Sequence, residues 1–177
     1  MQTMVELSIR SGKTVNAELD ALLGELSRVD ELPISQLYKE QVQRLFSYGM
    51  NACGDRELVK DCLLALFALV SNHPKPMRAA RSVDSSFLKF FRGILIQQMA
   101  DRRNSSVVDV LDGFFPAGPV RIRQLTGVQR EAMYLRFNSG LRCDEVSIVM
   151  GLRIDQVRSQ VTQAVEMLAH QPVTERL

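Results

Sequence analysis

Apolar residues along this chain recur at three- and four-residue intervals, and no stretch sustains the strict alternation of a half-buried strand. The pattern predicts an all-α protein. A first helix is expected near Ala17–Val29, with Leu19, Leu22, Leu23 and Leu26 on one side. Pro33 opens a second, reaching roughly Ala52, with Leu37, Val42, Leu45, Phe46 and Met50 inward and Gly54 as its stop. Asp55 is placed to cap a third helix running through Val70, whose apolar face begins at Leu58 and continues through Cys62, Leu66 and Leu69. Ser71–Ser86, with two prolines and three basic residues, reads as a basic loop before a fourth helix at about Phe87–Arg103.

Residues 104–120 carry Gly, Pro and Ser but no Lys or Arg, which marks a linker. The expected organisation is therefore two small helical domains, 1–103 and 121–177, joined by 104–120. Thr126 and Gln129 have the spacing of a capping box at the start of a helix reaching Asn138, which also carries Arg130 and Arg136. The most specific pattern follows it. Asp144-Glu145-Val146 opens a short helix with Val146, Val149 and Met150 inward, and Gly151-Leu152 forms a tight turn. Asp155 is positioned to cap the next helix, with Val157, Val161, Ala164, Val165 and Leu168 as its core stripe. Its opposite face carries Gln156, Ser159, Gln160 and Gln163, flanked by Arg158 and Thr162. Gln pairs bidentately with adenine, Arg with guanine or phosphate, so this is a helix-turn-helix with a candidate recognition face. A plain helical hairpin with a polar outer face would show the same pattern.

Charge adds a second signal. Residues 1–77 hold eight Lys/Arg against ten Asp/Glu, a net of −2, whereas 78–103 reach +4 and 121–158 reach +3. Two basic zones suit two contacts with a polyanion, although two solvated helix faces would look alike. The 177 residues are 46% hydrophobic and 24% charged, as in ordinary globular proteins. The longest apolar run, Cys62–Val70, falls far short of the roughly 18 residues of a membrane span, and no secretory leader is visible, so a cytoplasmic protein is expected. Cys53, Cys62 and Cys143 are scattered, and His73 and His170 are the two histidines, which argues against disulfides, a metal site or any cofactor. With no Gly-rich phosphate loop and no GxSxG or HExxH, an enzyme is not expected.

With both halves laid out, the chain resembles RNA polymerase sigma factors of the extracytoplasmic-function type over about Ala17–Leu168. Leu125–Leu168 is similar to the family's region 4. Ser35–Cys62, including Leu37-Tyr38 and Asp55–Leu58, and Ser86–Arg103 are similar to its region 2. The resemblance implies upstream-element contacts by Arg153, Gln156, Arg158, Ser159, Gln160 and Gln163. It implies downstream-element contacts by Lys75, Arg78, Arg81, Lys89, Arg92, Arg102 and Arg103, with Phe87, Phe90 and Phe91 as candidates for stacking unpaired bases. Polymerase contacts would fall on Asp61, Leu64, Ala65 and Phe67. The sequence departs from the family where Leu64 and Ala65 replace a polar patch, Phe90 stands at a usual Trp, and Gln97 and Asn104 replace an Asn and an Arg. The apolar Leu63–Val70 segment is expected either to be buried by neighbouring helices or to dock a different protein. Asp109, Asp112, Phe114 and Phe115 of the linker would lie along the polymerase channel; alternatively the linker is a flexible tether, or it lets the domains close on each other and hide both DNA surfaces. The implied partners are core RNA polymerase, promoter DNA and an anti-sigma factor, for a chain that is monomeric when free. The implied function is promoter-specific initiation; the alternative is a sigma-like regulator that binds an anti-sigma factor without directing transcription.

Overall fold

The computed structural model describes residues 32–72, 82–116 and 120–170, and all their regular structure is helical. The elements are α1 (Leu32–Cys53), α2 (Arg56–Asn72), α3 (Val83–Arg103), α4 (Val107–Asp112), α5 (Val120–Arg123), α6 (Gly127–Met133), α7 (Cys143–Met150) and α8 (Ile154–Ala169). The helix expected at Ala17–Val29 lies outside the described residues. The chain divides into two compact units, 1–44 and 45–177, and the described part of the first is the opening of α1.

Local chemistry explains most boundaries. The Leu58 amide donates to Asp55 Oδ1 at 3.0 Å, so Asp55 caps α2 as expected. The fourth helix begins four residues before its expected start: Ser82 Oγ accepts the Ser85 amide at 3.3 Å. The Ser-Val-Asp-Ser-Ser run reads as loop by composition, but the same residue types serve a helix start. Thr126 and Gln129 form the reciprocal capping box their spacing predicts. The helix expected to reach Asn138 stays α-helical only to Met133. Tyr134–Asn138 then widens into a π turn, with the Ser139 amide bonded to the Tyr134 carbonyl at 3.0 Å.

The main core of the second unit lies where α2 packs on α3. Leu63, Leu66 and Phe67 interleave with the fully buried Phe87, Leu88, Phe91 and Leu95. Each such side chain contributes about 1.5–3 kcal/mol on leaving water. α3 also packs against α7, and α6 against α8, so residues on either side of 104–120 share one packed unit.

Residues 104–120 themselves are structured over much of their length. Ser106 and Asp109 make a capping box that starts α4. Phe114 and Phe115 are buried, and the Phe115 amide donates to the Ala52 carbonyl at 3.0 Å. The described part of the linker is thus packed onto its neighbours. Its two aromatic side chains had core to enter, and α4 satisfies its own backbone groups.

Candidate nucleic-acid interface

The C-terminal helix-turn-helix is built as its residues dictate. Val146, Val149 and Met150 turn inward from α7, and Gly151 ends it at φ 68°, a conformation that costs a side-chain-bearing residue free energy. Asp155 does not cap α8. Gln156 Oε1 takes that role by accepting the Arg153 amide at 3.0 Å, while Asp155 pairs with the Arg153 guanidinium at 2.9 Å. α8 buries Val157 and Ala164 against α6 and α7, but Val161 and Leu168 are half-buried and Val165 is 44% exposed. The core stripe is narrower than expected because those two helices cover α8 from one side only. Arg153, Gln156, Arg158, Ser159 and Gln163 are exposed together, and Gln160 is half-buried beside them. Gln163 Nε2 donates to Ser159 Oγ at 3.2 Å along this face.

The described residues expected at a downstream element are dispersed. Lys75, Arg78 and Arg81 lie outside the described residues. Phe87 and Phe91 are core, leaving Phe90 as the exposed member of the trio. Lys89 and Arg103 are exposed. Arg102 pairs with Asp61 at 2.7 Å and with Asp55 at 3.6 Å, tying one expected DNA contact to one expected polymerase contact. Phe67 is buried against Phe87, so it offers no surface to a partner. The apolar run on α2 is split: Leu63, Leu66, Phe67 and Val70 are core, whereas Leu64 and Leu69 are 39% and 42% exposed, with Ala65 and Ala68 on the same open face.

Arg92 has a different fate. Its Nε and Nη2 donate to Glu131 Oε1 and Oε2 at 2.7 and 3.1 Å. Tyr48 Oη donates to the same Oε1 at 2.6 Å, and both Tyr48 and Glu131 are fully buried. Burial alone would lower the Arg92 pKa; the bonds and charge of Glu131 outweigh it and hold the guanidinium above its usual value. Burial, reinforced by the Glu131 charge, pushes the Tyr48 phenol well up. Sequence reasoning missed Glu131 and Tyr48. The available signal was spacing: Gly127, Glu131 and Leu135 share one inward face, which puts a carboxylate where an apolar residue belongs.

The cations flanking the helix-turn-helix are also engaged. Arg130 donates to the carbonyls of Phe114 (2.9 Å), Asp112 (2.7 Å) and Leu125, stitching the linker to α6. Arg136 donates to the Leu141 carbonyl at 3.2 Å and lies over the Phe137 ring. Carbonyls left by short helices and turns thus compete for both guanidinium groups.

No protein-family model matches the sequence, and no curated protein matches it. Solved structures do. A chain of the PhyRSL–NepR complex from Sphingomonas sp. Fr1, determined by NMR, matches with TM-score 0.61 at 19% identity, over 81% of this chain and 92% of that one. The co-crystal structure of the sigma factor RpoE in complex with the anti-sigma factor NepR from Bartonella quintana matches with TM-score 0.55 at 17% identity, over 93% and 99%. The fold is sigma-factor-like. Within this sigma-like fold, the residues expected at the upstream element share one face, while the described residues expected downstream are split between solvent and internal ion pairs. Among the described residues no cluster of His, Cys, Asp and Glu could hold a metal ion, and no helix is long and apolar enough to cross a membrane.

Proposed function

We propose that this sigma-like chain directs core RNA polymerase to promoters, with α8 reading the upstream element as duplex DNA. The observation that carries the reading is the open row Arg153, Gln156, Arg158, Ser159 and Gln163 on a helix seated by a glycine turn on α7. Lys89, Phe90 and Arg103 on α3 would supply a second, single-stranded contact. A second reading is favoured by two observations. Arg92 is occupied internally, and the outer face of α2 is apolar where the sigma family is polar. On that reading the chain binds an anti-sigma factor, as both neighbours do in their complexes, and does not itself direct transcription.

The test is co-elution of the purified chain with core RNA polymerase, followed by transcription of fragmented genomic DNA by the mixture. A complex that initiates at discrete new sites supports the first reading. A folded chain that never joins polymerase, yet forms a complex with an anti-sigma protein, supports the second.

A further inference from the structure

Glu131 is a fully buried carboxylate whose side-chain partners, Tyr48 and Arg92, both lie on the far side of the 104–120 connection, on α1 and α3. A buried ion pair adds little net stability compared with an apolar contact, yet removing one member strands the other charge away from water. Such a pair therefore selects one arrangement. It also lets that arrangement reopen, since both charges regain hydration on separation, which an apolar seam would not offer. Around this pair Ser47 Oγ lies 3.2 Å from Tyr134 Oη, and Tyr48 and Phe115 stack edgewise and tilted on Tyr134, while α3 packs against α7 beside it.

The charges have a consequence for binding. Arg92 is one helical turn from the exposed Lys89 on α3. The Glu131 carboxylate occupies its guanidinium bidentately, as a phosphate oxygen pair would.

We propose that Glu131 is an autoinhibitory lock: its carboxylate holds α6 to α1 and α3 and fills Arg92, and its release opens the chain and frees Arg92 for a nucleic-acid phosphate. The identity of the anion rests on the nucleic-acid reading above; the opening does not.

The test is Glu131→Gln in the full chain, with helix content checked by circular dichroism, shape by small-angle X-ray scattering, and binding by a mixed-sequence single-stranded oligonucleotide across a salt series. The variant should keep its helix content, show a larger radius of gyration, and bind with a salt slope steeper by about 0.7, one further phosphate. Arg92→Gln added to Glu131→Gln should stay expanded and lose that increment. A Glu131→Gln chain as compact as wild type overturns the lock. An expanded chain with an unchanged slope overturns the role of Arg92, whatever the outcome with polymerase. Should Glu131→Gln lose its helices, Tyr48→Phe keeps the ion pair and removes one bond. It should expand partially, and unchanged compactness there overturns the proposal equally.

Discussion

A methyl group added at Gly127 tests whether the connection between the two halves is docked in solution. Gly127 is the first residue of α6, and its Cβ would sit 1.7 Å from the Leu111 carbonyl oxygen, 2.8 Å from its carbon and 3.2 Å from Asp112 Cα. A carbon–oxygen contact of this kind needs about 3.3 Å, so α4 and α6 must part by roughly 1.5 Å. The wall is backbone, which no rotamer change can move aside. Overpacking of this kind costs about 1–3 kcal/mol, and the upper end applies here. Alanine's helix propensity returns up to about 1 kcal/mol. Gly127→Ala should therefore lose about 2 kcal/mol and lower Tm by about 4–8 °C in a chain of this length. Gly93→Ala is the matched control: it lies exposed inside α3, a Cβ there meets nothing within 4 Å, and it should gain about 0.4–1 kcal/mol. Thermal melting followed at 222 nm reads both. A Gly127→Ala chain as stable as wild type, beside a Gly93→Ala chain that rises as expected, would mean the α4–α6 contact does not form. The connection would then be a tether after all.

Other perturbations have defined outcomes. Tyr48→Phe removes a 2.6 Å bond to a buried carboxylate and should cost about 1.5–3 kcal/mol, read from urea unfolding, and a cost below about 0.5 kcal/mol would contradict the bond. Gly151→Ala places a side chain at φ 68° with open space around it, so strain alone should cost about 1 kcal/mol, and a neutral result would show that the turn relaxes. Burial pushes the Cys62 thiol up to about 12. The folded state thus favours the protonated form, and stability should fall as pH rises from about 9 towards 12; alkylation of Cys62 at pH 8 should proceed only on unfolding, and rapid labelling of native protein contradicts this. Arg158→Ala should reduce the salt slope of binding to duplex DNA by about 0.9, one phosphate, with little change in Tm.

Much of the fold was legible because its causes are local. Asp55 and Thr126–Gln129 announce helix starts through side-chain oxygens within three residues of the amides they cap. Gly151 announces a helix end by the one conformation it alone adopts cheaply, and Cys62 and Leu66 by periodicity alone point inward. Misjudged positions had two equally good local solutions. Asp155 was as plausible a cap as Gln156, and the Ser82–Ser86 run as plausible a loop as a helix start.

The sequence by itself determined the helical class, most helix boundaries and the polar row on α8, since propensity, capping and periodicity act within a few residues. Only the tertiary structure decided which charges remain available. Arg92, Arg102 and Arg130 look alike along the chain, yet one is filled by Glu131 from 39 residues away, one is shared by Asp61 and Asp55, and one is spent on carbonyls of the connection. Those partners are distant in sequence, and what selects them is the cost of leaving a buried polar group without one.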